Sequence, residues 1–233
     1  YSFIEKIILP QINTLSVVST TLQEYYSSCN HKIIVNYPPL SDYPHLEPIT
    51  LSGSGLKVLY VGNLRKYQGR ELLLKCASKF VGRKDITFYV VGEHTSYIVD
   101  TEKYSNVKFM GLVSHKESLR YISSADVLLI PRIDTPITRY AYPSKLTEYL
   151  SLKKPIIMTD VADARHFIRD NGYLIGPSAD ELAQAIEKFL KLGEEGLKKM
   201  GEQSGLIARE KLDPIKNYQR VIRSLGVSNE KKK

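Results

Sequence analysis

Tyr142-Pro143-Ser144-Lys145-Leu146-Thr147-Glu148-Tyr149-Leu150, with Lys154-Pro155-Ile156-Ile157-Met158-Thr159 behind it, is the stretch whose reading decides the fold of this chain. It reads as a turn, the first turn of a helix, a carboxylate one turn in, and then a buried strand. Proline suits the first helical position, where its missing N–H would have had no partner. Ser144 and Lys145 follow at once, so backbone N–H groups, a hydroxyl and a cation converge on the positive end of a helix. That is a place to hold a phosphate. Glu148 falls about one turn further on and can accept hydrogen bonds from sugar hydroxyls near the same end. A phosphate site beside a hydroxyl-binding carboxylate suits a nucleotide. The same nine residues also read as an ordinary capped helix of an α/β domain.

Upstream and downstream, apolar runs of strand length end at glycine or proline. They are Lys57 to Gly62, Ile86 to Gly92, Val107 to Gly111, Val127 to Pro131, Ile156 to Thr159 and Tyr173 to Gly176. Several are apolar on both faces, as in a buried parallel sheet. Helical patterns separate them. Arg70 to Phe80 carries Leu73, Ala77 and Phe80 on one face, and Ser114-His115-Lys116-Glu117 and Ser178-Ala179-Asp180-Glu181 are capping boxes. The second opens a helix with Leu182, Ala183, Ile186, Phe189 and Leu190 at helical spacing. This alternation predicts an α/β fold, a doubly wound parallel sheet followed by C-terminal helices.

Residues 1 to 51 read as the tail of another domain plus a hinge, 52 to 211 as the regular α/β unit, and 212 to 233 as a C-terminal helix with a basic tail. In the first part Leu15 to Ser19 and Ile33 to Val35 read as short strands, with Thr20 or Thr21 capping a helix to about Ser28. Pro38, Pro39, Pro44 and Pro48, then Ser52-Gly53-Ser54-Gly55, read as a linker. In the last part Pro214 opens a helix with Ile215, Tyr218, Val221, Ile222 and Leu225 on one stripe, which needs an apolar partner surface.

The 233 residues carry 33 Lys plus Arg against 25 Asp plus Glu, a net +8 that favours polyanionic partners. The basic residues are spread out, apart from the Asn229-Glu230-Lys231-Lys232-Lys233 tail, as on solvated helix faces. Cys29 and Cys76 fall in predicted helices and read as small buried hydrophobes, not a disulfide framework. Residues 1 to 10 lack a secretion-signal pattern, and no apolar run has the length of a membrane span, so a cytoplasmic location is expected. The chain opens on Tyr1, not Met, which is compatible with a piece of a longer protein.

In an open α/β sheet, ligands bind beyond the carboxyl ends of the strands. After the first strand come Gly62-Asn63-Leu64-Arg65-Lys66-Tyr67-Gln68-Gly69, with Arg65 and Lys66 placed to neutralise a phosphate; alone, this is also an exposed basic loop. After the third, Gly111-Leu112-Val113-Ser114 offers backbone groups to a flat base, or is simply a strand end and a helix cap. After the fourth, Pro131 to Ala141 is a long polar loop, ending at Tyr140 and Ala141, that feeds into Pro143-Ser144; two arginines, Arg132 and Arg139, and Asp134 at a predicted ligand edge make it read as functional. There is no Gly-x-Gly-x-x-Gly after a strand, no P-loop, no Gly-x-Ser-x-Gly elbow and no metal-ligand spacing of histidines.

Together these residues resemble the donor-binding half of a GT-B glycosyltransferase of the retaining family-4 (group 1) type, over about Lys57 to Ile207. The Pro-Ser-Lys-Leu-x-Glu-Tyr segment is the strongest match. The Tyr-Val-Gly-x-Leu opening, the Val-Gly and Phe-x-Gly strand ends and Ala125 to Pro131 follow in order. The resemblance implies that Glu148 binds the nucleotide ribose. It implies that Ser144, Lys145 and Leu146 face the diphosphate, and that Leu112 and Val113 lie beside the base. It also implies a nucleotide-diphosphate sugar as donor substrate and no metal or other cofactor, with fixed cations and the helix dipole stabilising the departing diphosphate. Asn63 and Gln68 stand where the family places Arg and Lys, and Tyr140 stands where it commonly places a sugar-gripping glutamate. Arg65, Lys66, Arg132 and Lys145 are the candidate substitutes, with Lys145 and Arg65 joining Glu148 as catalytic candidates. The expected activity is retaining glycosyl transfer to a glycan or lipid-linked hydroxyl, completed by an N-terminal acceptor domain. The alternatives are a nucleotide-sugar epimerase of the same architecture and a non-catalytic donor-binding subunit. No recognised motif supports a nucleic-acid partner, whereas contact with an anionic membrane surface fits both the family and the charge.

Overall fold

The structure is a computed structural model that describes residues 3–29, 31–40, 43, 46–93 and 103–225. Pro44 and the lysine tail of the sequence reading lie outside them. The chain opens with α1 (Phe3–Ile8) and a parallel pair of short strands, β1 (Thr14–Val17) and β2 (Lys32–Val35), joined through α2 (Thr20–Tyr25). The main unit then runs β3 (Leu56–Val61), α3 (Arg70–Ser78), β4 (Ile86–Val91), β5 (Val107–Gly111), α4 (His115–Ser124) and β6 (Val127–Ile130). It continues through α5 (Pro136–Tyr140), α6 (Ser144–Ser151), β7 (Ile156–Thr159), α7 (Ala164–Phe167) and β8 (Gly172–Ile175). Two helices close it: α8 (Ala179–Lys211), kinked at Gly193, and α9 (Pro214–Ser224).

Six strands pair in parallel in the order β5-β4-β3-β6-β7-β8. The expected doubly wound sheet is therefore present. Its central strands are buried on both sides because their side chains alternate between two apolar layers. Val58, Tyr60, Phe88 and Val90 join the layer under α3 and α8, while Leu59, Tyr89, Leu128 and Ile130 join the layer with α4 and α6. Leu73, Ala77 and Phe80 all face the first layer, as their spacing predicts. The chain moves outward from β3 to β5, then returns to place β6 on the other side of β3. That reversal opens a crevice between the loops that follow β3 and β6.

Local departures from the sequence reading have identifiable causes. Pro143 is the residue before α6, with φ −77 and ψ 105, and is not its first helical residue; its carbonyl accepts from Leu146 N at 2.8 Å. The predicted loop 131–141 contains α5, capped reciprocally by Thr135 and Thr138 with Pro136 in its first turn. Ser19, not Thr20 or Thr21, caps α2, because Thr20 N and Oγ1 are taken by Asp163 at 2.8 and 2.6 Å. With α2 ending at Tyr25, Cys29 sits half-buried after it, while Cys76 is buried in α3 as expected. The serines of both capping boxes accept as predicted, but Glu181 turns back to Gly176 N at 2.6 Å.

In the segment that reads as a linker, the described residues are packed down. Tyr37 and Leu51 are buried, Leu40 N donates to Leu212 O at 2.6 Å, Ile49 N donates to Ser124 Oγ at 2.8 Å, and Tyr89 OH donates to Ser52 O. On α9 the predicted apolar stripe does not turn inward. Ile215, Tyr218 and Leu225 are exposed, Val221 and Ile222 only half-buried, and Asn217 is the buried residue. The helix is held instead by polar ends, Arg220 Nη1 to Val35 O at 3.1 Å and Lys32 Nζ to Ser224 O at 3.0 Å. No helix among the described residues is long and apolar enough to cross a membrane.

Asp163 ties the N-terminal elements to the main sheet. Its buried carboxylate accepts from Thr20 and from the Tyr37 hydroxyl at 2.5 Å. Asp163→Ala strands that hydroxyl and is expected to destabilise the chain by about 2 kcal/mol. The melting temperature should fall by about 4–8 °C; an unchanged melting curve would rule out this anchoring role.

Candidate functional site

The crevice is built from two loops drawn together. Tyr67 O accepts from Ile133 N at 3.2 Å, and a Cβ on Gly69 would stand 1.7 Å from Pro131 O, so only glycine permits this approach. At its floor, Gly62 adopts φ +132, and a Cβ there would meet Lys145 Nζ at 2.7 Å. Glycine thus leaves room for the ammonium, which lies 4.4 Å from the Tyr60 ring centroid. That is cation–π range. Tyr60 in turn donates to Asn63 O at 2.8 Å.

Lys145 is half-buried, with its ammonium packed beneath Gly62 and against Tyr60. Burial, and then the neighbouring Arg132 guanidinium, push its pKa down to about 7, while Glu148 acts in the opposite direction. Arg132 is itself 4% exposed and donates from Nη1 to Ala141 O at 2.7 Å. Burial lowers its pKa as well. Two cations therefore share one crevice floor. Around them Asn63 Oδ1, Gln68 Oε1 and Arg132 Nε are shielded from solvent and have no hydrogen-bond partner among the described residues. Buried polar atoms are rarely left so. Of these three atoms only Arg132 Nε is a donor; an anion would meet it and the Lys145 ammonium, while the Asn63 and Gln68 amides would have to turn to present their nitrogens.

The start of α6 completes the floor. No side chain caps it, Ser144 is exposed, and the buried Leu146 and Tyr149 lock the helix to the sheet. The Tyr149 hydroxyl accepts from Val61 N at 3.3 Å. This rigid seat places Glu148, 21% exposed in its side chain, beside the crevice. Its Oε1 lies 2.9 Å from Nε2 of His115, the first residue of α4. Leu112, 78% exposed, and the half-buried Val113 lead into that residue.

The candidate residues thus divide. Gly62, Asn63, Gln68, Arg132, Lys145 and Glu148 come together, with Ser144 at the helix end and Leu112 and Val113 on the side of Glu148. Arg65 and Lys66 are exposed, and neither is among the groups that shift Lys145. Arg139 pairs with Asp134 on the surface at 2.9 Å. Tyr140 turns to the N-terminal elements: its carbonyl accepts from Ser19 Oγ at 2.9 Å, and its ring is 5.3 Å from that of Tyr25. The sequence pattern places His115 only in a capping box; its signal is its place at the end of the segment expected beside a base. Among the described residues no group of three or more His, Cys, Asp or Glu side chains stands where it could hold a metal ion. A cavity of about 840 Å³ lined by Lys32, Lys216 and Arg220 lies apart from the crevice, beside β2 and α9.

Residues 55–192 match the family described as glycosyl transferases group 1. An uncharacterized 41.2 kDa protein in the cps region of Klebsiella pneumoniae is 26% identical over 144 residues, 56% of this chain and 39% of that protein. The fold is similar to that of sucrose-phosphate synthase from Thermosynechococcus elongatus, with a TM-score of 0.76 and 19% identity over 96% of this chain and 61% of that one. It is also similar to Anabaena HepE in complex with UDP, with a TM-score of 0.72 and 14% identity over 93% of this chain and 64% of that one. The chain therefore spans about two fifths of the curated relative's length and about three fifths of the synthase's.

Proposed function

The chain belongs to the glycosyl transferases group 1 family, and from that premise we propose that it is the donor-binding half of a retaining glycosyltransferase acting on a nucleotide-diphosphate sugar. The observation that carries this reading is the Lys145–Arg132 pair, two cations at an uncapped helix start, with Arg132 Nε lacking a hydrogen-bond partner among the described residues. A diphosphate set there would receive charge-assisted hydrogen bonds and the positive end of α6. Glu148 would accept from the ribose hydroxyls, and the base would lie against Leu112 and Val113.

In the transfer, the bond from the anomeric carbon to the diphosphate oxygen breaks and that oxygen leaves with the electron pair. The acceptor hydroxyl oxygen bonds to the same carbon on the same face, and its proton passes to the departing diphosphate oxygen. Fixed cations stabilise the charge that develops on the leaving oxygen without waiting for solvent or a metal to reorganise. The acceptor, a glycan or lipid-linked hydroxyl, would be held by an N-terminal domain, at the cytoplasmic side of a membrane whose anionic surface suits a +8 chain. One observation favours a second reading, a non-catalytic donor-binding subunit: Asn63, Gln68 and Tyr140 are neutral.

A thermal-shift panel of UDP, GDP, ADP and their sugars tests the binding half of this reading. UDP is the first probe because HepE was solved with it. One nucleoside diphosphate should raise the melting temperature, since a ligand that binds only the native state stabilises it. Failure of all three to do so would remove the proposal. Binding with no transfer, once an N-terminal half is supplied, would favour the second reading.

A further inference from the structure

The carboxylate at the crevice is not held by α6 alone. Glu148 reaches Oε1 across to His115 Nε2 at 2.9 Å, joining two helices that are far apart in sequence. Resting on the donor reading, we propose that His115 is a positioning residue of the ribose site, whose Nε2–H holds one oxygen of Glu148 so that the other faces the ribose hydroxyls.

His115 has a fixed base from which to do this. It is the first residue of a helix capped by Ser114 Oγ on Glu117 N at 3.2 Å, and its own carbonyl accepts from Ser118 Oγ at 2.7 Å. Glu148, by contrast, ends a flexible side chain whose rotamer freedom must be lost when a ribose binds. Fixing it beforehand removes part of that cost from the binding step. A carboxylate has about four lone-pair sites, so one bond to an imidazole leaves room for both ribose hydroxyls. The pair has little to do for stability, because the His115 side chain is 68% exposed and an exposed pair contributes little. It also connects recognition of the sugar to recognition of the base, since His115 directly follows Leu112, Val113 and Ser114.

The experiment uses the full chain in calorimetric titrations with whichever of UDP, GDP and ADP binds it, that ligand's 2′-deoxy counterpart, and inorganic pyrophosphate. His115→Leu should weaken the ribonucleotide about fivefold and narrow the preference for ribose over deoxyribose. It should leave pyrophosphate affinity unchanged, which also reports an intact fold. His115→Gln, whose amide nitrogen falls near the position of the imidazole Nε2, should restore the preference. Glu148→Ala should remove it. If His115→Leu keeps the full preference while Glu148→Ala loses it, the positioning role is refuted and the donor reading stands. If His115→Leu binds the ribonucleotide more tightly, the imidazole competes with ribose and the inference is likewise overturned. If the unmodified chain binds no nucleoside diphosphate, the donor reading fails and the inference with it.

Discussion

Lys145→Met is expected to lower the affinity for a nucleoside diphosphate by about 100-fold while making the empty chain more stable at neutral pH. A charge-assisted bond to a phosphate in a desolvated crevice contributes about 1.5–3 kcal/mol, and losing the upper part of that range is about a 100-fold change in affinity. The gain in stability has a separate cause. The ammonium lies in the same desolvated floor as Arg132, and both burial and that like charge disfavour it. Methionine has similar length and carries neither cost.

The pH dependence follows from the same shift. The folded lysine titrates at about 7, against an ordinary 10.5. Below about 7 it is charged in both folded and unfolded chains, and the folded chain bears the whole cost. As pH rises from there towards 10.5, the unfolded chain keeps a proton that the folded one has released, so stability increases with pH over that window. A bound diphosphate draws the proton back, so affinity is greatest below about 7 and falls as pH rises above it. Calorimetry across this range, with Lys145→Met as reference, should show both slopes vanish in the variant. A variant that binds as the unmodified chain does, with the same pH slopes, would exclude Lys145 from the diphosphate site.

Glu148→Ala is expected to weaken the nucleoside diphosphate by about 30-fold, near 2 kcal/mol for hydrogen bonds to a charged group, and to spare inorganic pyrophosphate. The contrast matters more than the size. Removing a carboxylate beside the cationic floor takes away a repulsion from the phosphates, so pyrophosphate should bind equally well or better. Equal losses for both ligands would mean that Glu148 only shapes the floor and does not touch the ribose.

Much of the architecture was legible because its signals are local. Runs such as Ile86 to Val91 and Val127 to Ile130 are buried at every position and apolar at all but Thr87, and only a sheet covered on both faces buries them so completely. The positions after each strand pointed to the crevice through topology alone. Even the overlooked α5 had its signal in Thr135-Pro136, a cap followed by the residue suited to a first turn.

Other features could not be read from neighbours in sequence. Ser19 and Thr20 are both common caps by type, and Asp163, 143 positions from Thr20, takes the backbone N–H and hydroxyl of Thr20. Proline and glycine in residues 36–55 read as a linker by composition, yet apolar side chains of its described residues find the second layer of the core and pack there. Two arginines in the segment after β6 look alike in sequence; Ala141 O draws Arg132 inward, while Asp134 keeps Arg139 on the surface.

By itself, the order of residues determined the parallel sheet, the helix that follows Tyr142, though not its first residue, and the carboxylate about one turn along it, because hydrophobic period and backbone chemistry act over a few residues. Tertiary structure alone decided that Lys145 and Arg132 share a desolvated floor under Gly62, that Arg65 and Lys66 stay in solvent, and that His115 meets Glu148. Those outcomes depend on distances between segments remote in the chain, and burial and electrostatic fields arise only when the segments are packed.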